Sequence, residues 1–176
     1  DCGDFPGVMS TALRKAAWED FESRRAASRA AGLLRGYGLG LYLHTAGAGT
    51  NETSMVEVDP EGRIVAYVGQ QAIGQGHETT FAQLLGEHLG VDPLSVIVVQ
   101  GDSDRLPPRG ASTGGSQSLQ CAGTTIMRAA DCLVEQLLSH AAEALEAAYE
   151  DIQYKSGFFS VTGTDIGIGI SELGVV

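Results

Sequence analysis

The chain has 176 residues, 43% of them hydrophobic and 19% charged, and a formal net charge of −11. This length and composition suit a globular protein with a sizeable core. The acidic charge argues against nucleic acid as a partner, and no apolar run is long enough to suggest a membrane span. Three cysteines without a CxxC spacing are typical of the cytoplasm, where we expect the protein to act.

Two parts are predicted: an N-terminal helical segment over residues 1–34 and an α+β domain over residues 35–176. In the first part, Pro6 marks the start of a helix, and a second helix runs from Glu19 to Ala31. Six of the eleven basic residues lie within the first 35 residues. Residues 36–176 therefore carry five basic against seventeen acidic residues, a net charge of −12.

The second part begins with predicted strands. Arg35 to Thr45 is apolar, with glycine at every second position from Gly36 to Gly40, so one face of this strand would be bare. The runs 54–58 and 64–68 flank an Asp-Pro-Glu-Gly turn and predict a hairpin. Val96 to Val99 is predicted to be a central strand.

Helices alternate with the later strands. We predict a helix from Gly76 to Leu89 and a long helix from Ser116 to Tyr149, each with apolar residues at helical spacing. A second hairpin over residues 152–161 and an edge strand over residues 164–170 follow. The order of elements favours an α+β fold with a mixed sheet and helices packed on it. Because the chain starts without Met and a helix is predicted to begin at Ile170, we expect a fragment of a longer protein.

Two glycine-rich turns precede the two predicted helices: Gly74-Gln75-Gly76-His77-Glu78 and Thr113-Gly114-Gly115-Ser116-Gln117-Ser118. The N–H groups at a helix start are unpaired and carry a positive partial charge, and glycine lets an anion approach them closely. Two such turns in one domain predict a cradle for a large phosphate-bearing ligand.

Each residue of the turns also has a plainer interpretation. The glycines could serve backbone geometry or packing alone. The Gln75 amide suits an uncharged polar edge of a ligand, or it could bond its own loop. The hydroxyls of Thr113, Ser116 and Ser118 could bind an anion or cap a helix. We favour a capping role for Glu78, and His77 could line a pocket or lie at the surface.

The rest of the sequence offers few candidates for catalytic, substrate-positioning or metal-binding residues. Cys121 and Cys132 are interpreted as small buried residues. Asp102, Asp104 and Arg105 lie in a long polar loop, where they could position a substrate or pair with one another. The histidines lack metal-ligand spacing, so no protein-ligated metal is expected, and no catalytic residue is assigned.

Taken together in chain order, several motifs resemble the large, molybdenum-cofactor-binding subunit of the xanthine dehydrogenase / aldehyde oxidase / carbon monoxide dehydrogenase family. They are Gly36-Tyr37-Gly38-Leu39-Gly40, Val58-Asp59-Pro60-Glu61-Gly62, Ile73-Gly74-Gln75-Gly76-His77-Glu78-Thr79, Gly101-Asp102-Ser103-Asp104-Arg105, the second glycine turn and Asp151-Ile152. The similarity covers most of the chain.

The resemblance implies part of a molybdopterin-binding region and a molybdenum-bearing molybdopterin, typically the cytosine dinucleotide form in bacterial relatives. It implies hydroxylation of a purine, aldehyde or related carbon of a small-molecule substrate, with oxygen from water and electrons passed to iron–sulfur centres and FAD on partner subunits or domains. Carried over by position, Gly74, Gln75 and Gly76 would hold the cofactor near its pterin and phosphate end. A second clamp would comprise Gly114, Gly115, Ser116 and Ser118.

The sequence also departs from the family pattern. Gln117 stands where the family often has arginine, which removes one positive charge near the ligand. The family's catalytic glutamate lies outside this chain, and Glu172 follows no matching motif. We therefore expect these 176 residues alone to be inactive. The alternative from the residues is a non-redox module that binds a nucleotide or phosphate.

Overall fold

The computed structural model describes residues 3–47, 52–105 and 113–174, and the chain forms two compact units, residues 1–44 and 45–176. The first unit contains α1 (Phe5–Lys15), a 3-10 turn (Trp18–Asp20) and α2 (Phe21–Ala30). The N-cap Asp4 accepts a hydrogen bond from the Gly7 N–H at 2.9 Å, as expected of a residue that starts a helix.

The strand predicted over Arg35 to Thr45 is wrong, because residues 33–45 contain no strand. Their backbone has no ladder partner among the described residues of this unit, and their large side chains are mostly exposed, Leu34 to 95% and Tyr42 to 82%. Tyr37 is the better-packed residue of the segment, since its ring packs edge-on against Trp18 and Phe21. An apolar glycine-alternating run predicts an extended backbone but cannot supply a neighbouring strand.

The second unit contains a mixed sheet of β1 (Ser54–Val58), β2 (Ile64–Val68) and β3 (Val96–Gln100). β1 and β2 are antiparallel, as the hairpin prediction required, and β2 and β3 are parallel. The prediction that Val96–Val99 is central is wrong: β2 is the central strand, and all five of its residues are buried. Both runs are continuously apolar, so their composition does not distinguish the centre from the edge.

Two helices cover this sheet. α3 (His77–Leu89) connects β2 to the parallel β3, and α4 (Thr124–Ala144) follows a π-helical turn at Leu119–Gly123. The predicted helix from Ser116 to Tyr149 is therefore shorter at both ends. At its C-terminus Glu146 adopts a positive φ of 50°, and the Ala147 N–H donates to the Ala142 carbonyl, which ends the helix.

The remaining strands form a separate antiparallel sheet of β4 (Ile152–Lys155), β5 (Phe158–Val161) and β6 (Gly167–Gly169), followed by α5 (Ile170–Leu173). The predicted second hairpin and edge strand are confirmed, and so is the α+β fold. Among the described residues, no helix has the length and apolarity needed to cross a membrane. The core joins the helices to both sheets through residues that include Ile64, Ala66, Val68, Phe81, Leu85, Ala122, Ile126, Ala130 and Phe159.

Asp59 stabilises the turn between β1 and β2. Its carboxylate accepts hydrogen bonds from the N–H groups of Glu61 (3.0 Å) and Arg63 (2.8 Å) and forms an ion pair with the Arg63 guanidinium at 2.7 Å. Burial alone raises the pKa of Asp59, but the hydrogen bonds and charge of Arg63 outweigh that effect and hold the pKa below its usual value of 3.8.

We predict that in Asp59→Asn the free energy of unfolding falls less steeply at acidic pH than in the wild type. Because the folded-state pKa is lowered, the carboxylate contributes its full stabilisation above pH 3.8 and loses it as the pH falls through the lowered value. Urea unfolding of both proteins between pH 7 and pH 2.5 measures the difference. Asp165→Asn removes the same charge at an exposed position and is the control; a D59N profile parallel to wild type contradicts the account.

Candidate functional site

The two glycine turns meet at one cleft of about 330 Å³. Four of the predicted site residues line it: Gln75, Gly114, Ser116 and Ser118. The other three, Gly74, Gly76 and Gly115, are their neighbours in the chain. The cleft is completed by His77, Thr80, Phe81, Thr113 and Leu119. Residues about 40 positions apart in sequence therefore form one surface, as the sequence predicted for a single cradle.

A direct hydrogen bond joins the turns. The Thr113 hydroxyl donates to the Gln71 carbonyl, three residues before Gly74, with an oxygen–oxygen distance of 2.6 Å. On the other side of the second turn, the Gly115 carbonyl accepts the Gly47 N–H at 2.7 Å. Thr113 thus serves neither as a cap nor as a free hydroxyl, because its donor is used to hold the first loop.

The first turn has two left-handed glycines, Gly74 at φ 108° and Gly76 at φ 76°. Gly76 is the N-cap of α3, and it has no side chain with which to satisfy the first N–H groups of the helix. The predicted capping role of Glu78 is not seen, because its carboxylate makes no hydrogen bond among the described residues. The N-terminus of α3 therefore presents its positive partial charge beside the cleft.

The Gln75 side chain bonds its own loop, which is the plainer of the two interpretations offered by the sequence. Its Oε1 accepts the Ile73 N–H at 2.5 Å. Its Nε2 donates to the Gln71 carbonyl at 3.3 Å and lies 3.1 Å from Nε2 of His77. The amide is therefore engaged on both sides.

The second turn is also built from left-handed residues, Gly115 at φ 57° and Ser116 at φ 55°. A serine in this region is uncommon and costs on the order of 1 kcal/mol. Ser118 immediately precedes the π-helical turn and makes no side-chain cap bond. The hydroxyls of Ser116 and Ser118 line the cleft without a hydrogen-bond partner among the described residues, so the capping interpretation does not explain them.

The surroundings of Gly114 help to decide whether packing or a ligand accounts for a glycine at this position. No described atom lies within 4 Å of the position that a Cβ would take there, and the residue does not have a positive φ. Gly74 and Gly76 also face open space, but their left-handed backbone already favours glycine. At Gly114 neither the backbone conformation nor the described packing requires that the residue lack a side chain.

The sequence did not decide whether His77 lines a pocket or lies at the surface. In the structure it is a buried residue that lines the cleft. Its ring is only 6% exposed and packs on Phe81 with 5.0 Å between ring centroids. Its Nδ1 is buried with no hydrogen-bond partner among the described residues. The signal in the sequence was its place at the first position of a helix, on the same face as the apolar residue one turn later.

The cleft contains no Lys, Arg, Asp or Glu side chain among its described lining residues. The nearby loop residues are paired with one another instead: Asp102 accepts the Asp104 N–H at 3.0 Å and lies 3.8 Å from the Arg105 guanidinium. Arg105 also lies within 3.4 Å of the Tyr67 hydroxyl. Within the described ranges, no group of three or more His, Cys, Asp or Glu residues could hold a metal ion.

The two cysteines differ in burial. Cys121 is half-buried in the π-helical turn, but Cys132 is exposed, so its interpretation as a small buried residue is wrong. Cys132 immediately precedes Leu133 of the apolar stripe of α4, and one position along a helix turns a side chain by about 100°, away from the face that packs on the sheet.

Residues 11–174 match the sequence profile of the molybdopterin cofactor-binding domain family. The chain belongs to this family. It is 35% identical, over 98% of its length, to the 6-hydroxypseudooxynicotine dehydrogenase complex subunit gamma of Paenarthrobacter nicotinovorans, and 31% identical, over 94%, to the carbon monoxide dehydrogenase large chain of Hydrogenophaga pseudoflava. In each case it spans 22% of the relative's length.

Solved structures place the fold in the same family. The chain matches the crystal structure of the Cu,Mo-CO dehydrogenase in its carbon-monoxide-reduced state with a TM-score of 0.66 and 26% identity, covering 98% of this chain and 24% of that one. It matches quinoline 2-oxidoreductase from Pseudomonas putida 86 with a TM-score of 0.61 and 27% identity, covering 98% and 23%. The predicted family is therefore confirmed, and it is an oxidoreductase family.

We predict that alanine destabilises the fold at Gly76 in the first turn but not at Gly114 in the second. Gly114→Ala should change the free energy of unfolding by less than about 0.5 kcal/mol, because its methyl group meets no described atom. Gly76→Ala forces alanine into a left-handed conformation and should cost about 1 kcal/mol or more. Chemical denaturation compares the two variants. Equal destabilisation would show that Gly114, too, is required by the fold.

Proposed function

We propose that this chain is the cofactor-binding part of a molybdenum hydroxylase large subunit, and that the cleft between its glycine turns holds the phosphate end of a molybdopterin. The observation that carries this proposal is the convergence of both turns on one cleft in a domain of the molybdopterin cofactor-binding family. Its volume of about 330 Å³ lies at the lower end of ligand sites, which range from about 300 to 1,000 Å³, and suits one portion of a large cofactor.

The donors of the cleft suit a phosphate in acidic surroundings. The start of α3 offers unpaired backbone N–H groups, and Ser116 and Ser118 offer hydroxyl donors. Gly114 leaves space for a ligand to approach the backbone. Such a site needs no lysine or arginine, because the helix start and the turn amides supply partial positive charge. These features support roles in binding for Gly74, Gly76, Gly114, Gly115, Ser116 and Ser118, with Gln75 holding the first loop in place.

The bound cofactor supplies the redox chemistry, and this chain binds and orients it. By family, we infer the cytosine dinucleotide form and electron transfer to iron–sulfur centres and FAD on partner subunits or domains. The inferred reaction hydroxylates a purine, aldehyde or related carbon with oxygen from water. The relative named for 6-hydroxypseudooxynicotine and the structure named for quinoline favour a nitrogen heterocycle or its derivative as the substrate class. The cytoplasm remains the proposed location.

The non-redox alternative is not favoured. A module that binds only a nucleotide would account for the cleft, but it does not account for a family match over residues 11–174 or for the likeness to the CO dehydrogenase and quinoline 2-oxidoreductase structures over 98% of the chain.

Ser118→Ala is predicted to weaken cofactor binding without harming the fold. Removing one hydrogen bond to a charged phosphate costs about 1.5–3 kcal/mol, which corresponds to at least about a tenfold loss of affinity. Molybdenum and pterin content of the purified protein are the measurements, with Ser139→Ala on the exposed side of α4 as the matched control. If S118A and S139A retain the same cofactor content, Ser118 has no role in binding.

We also predict that the 176-residue chain alone does not turn over any substrate of the family, because the catalytic glutamate implied by the family lies outside it. The purified chain should show no hydroxylation of an aldehyde, a purine or a nitrogen heterocycle in the presence of an artificial electron acceptor. Steady turnover by this chain contradicts the proposal that it only binds cofactor.

A further inference from the structure

The start of α3 contains an unpaired donor or acceptor that the glycine turns do not explain. His77 is the first residue of this 13-residue helix and lines the cleft, yet its ring is only 6% exposed. Its Nδ1 has no hydrogen-bond partner among the described residues. Buried polar atoms in folded proteins are nearly always paired, so the unpaired Nδ1 is a feature that a ligand bound in the adjoining cleft would explain.

The hydrogen bonds of Gln75 determine which nitrogen of His77 carries the proton. The Ile73 N–H donates to one side-chain atom of Gln75, which must therefore be the amide oxygen. The amide nitrogen then faces the Gln71 carbonyl at 3.3 Å and Nε2 of His77 at 3.1 Å. Because an amide nitrogen can only donate, Nε2 of the neutral ring accepts, and the proton lies on Nδ1.

Packing keeps the ring in this orientation. The His77 ring lies on Phe81, one turn further along α3, with an interplanar angle of 34°. Turning the ring over would put the Cε1 carbon in the place of Nε2 and break the contact with Gln75. The Nδ1–H group is therefore a fixed, neutral donor at a helix N-terminus, with no acceptor in the described chain.

We propose that His77 is a further cofactor-binding residue, which donates its Nδ1–H to a phosphate oxygen in the cleft, and that Gln75 is a positioning residue that holds the required tautomer. This inference rests on the proposed function. It assigns to Gln75 an indirect role through His77 in place of direct contact with the ligand. It also adds a directional side-chain donor to the backbone N–H groups, which suits an anion site without lysine or arginine.

Three substitutions at one position test the donor. Asn places its amide nitrogen near the Nδ1 position, Gln places it near the Nε2 position, and Phe keeps the ring on Phe81 without any donor. In the protein purified with its native cofactor, we expect His77→Asn to retain molybdenum and pterin. His77→Gln and His77→Phe should lose at least about tenfold in affinity. His140→Phe, at an exposed position of α4, is the control and should match wild type.

Nitrogen-15 NMR of the imidazole provides a readout that a purely structural role would not move. We expect the Nδ1-protonated neutral tautomer in the loaded protein, and a change of tautomer in Gln75→Glu, which replaces the donor facing Nε2 by an acceptor. An Nε2-protonated ring in wild type overturns the inference, as does wild-type cofactor content in both H77Q and H77F. Failure of H77F to fold leaves the comparison of H77N with H77Q to decide.

The two proposals fail in distinguishable ways. Wild-type protein that contains molybdopterin, together with H77Q and H77F that contain the same amount, overturns only the role of His77. Wild-type protein without any pterin overturns the proposed function and this inference with it.

Discussion

The cleft depends on one packing arrangement, in which α3 and α4 lie against the buried central strand β2. Ile64, Ala66 and Val68 of that strand share a core with Phe81 and Leu85 of α3 and with residues of α4. Since α3 begins directly after the first glycine turn, and α4 follows the second through the π-helical turn Leu119–Gly123, fixing the helices on the sheet also fixes the turns. The bond from Thr113 to the Gln71 carbonyl then joins the two loops at 2.6 Å. A core of apolar contacts thereby brings together polar groups about 40 residues apart.

The proposed binding of an anion would take place in an acidic domain. Residues 36–176 carry a net charge of −12, and the described lining of the cleft has no charged side chain. Dipoles can substitute for full charges at short range, and an uncapped helix start, turn amides and hydroxyls are the dipoles present beside this cleft. The left-handed Gly74, Gly76, Gly115 and Ser116 produce the backbone directions that this requires.

The sequence predicted most of this framework, and its errors have physical reasons. Local signals such as the Asp59-Pro60 turn and Gly90 gave the correct elements, because caps and turns are set by neighbouring residues. Arg35–Thr45 was mispredicted, since a strand needs a partner that local sequence does not reveal. The burial of His77, the exposure of Cys132 and the central place of β2 depend on which faces pack together. Motif order identified the family, while the bonding of Gln75 to its own loop and to His77 required coordinates.

The central claim is that the cleft holds a molybdopterin. Its most direct test is the molybdenum and pterin content of the protein purified from its native host, with identification of the nucleotide released by acid hydrolysis. The account predicts about one molybdenum and one pterin per chain, with cytidine monophosphate among the products. Protein that is folded and active in its host but contains neither molybdenum nor pterin would contradict it.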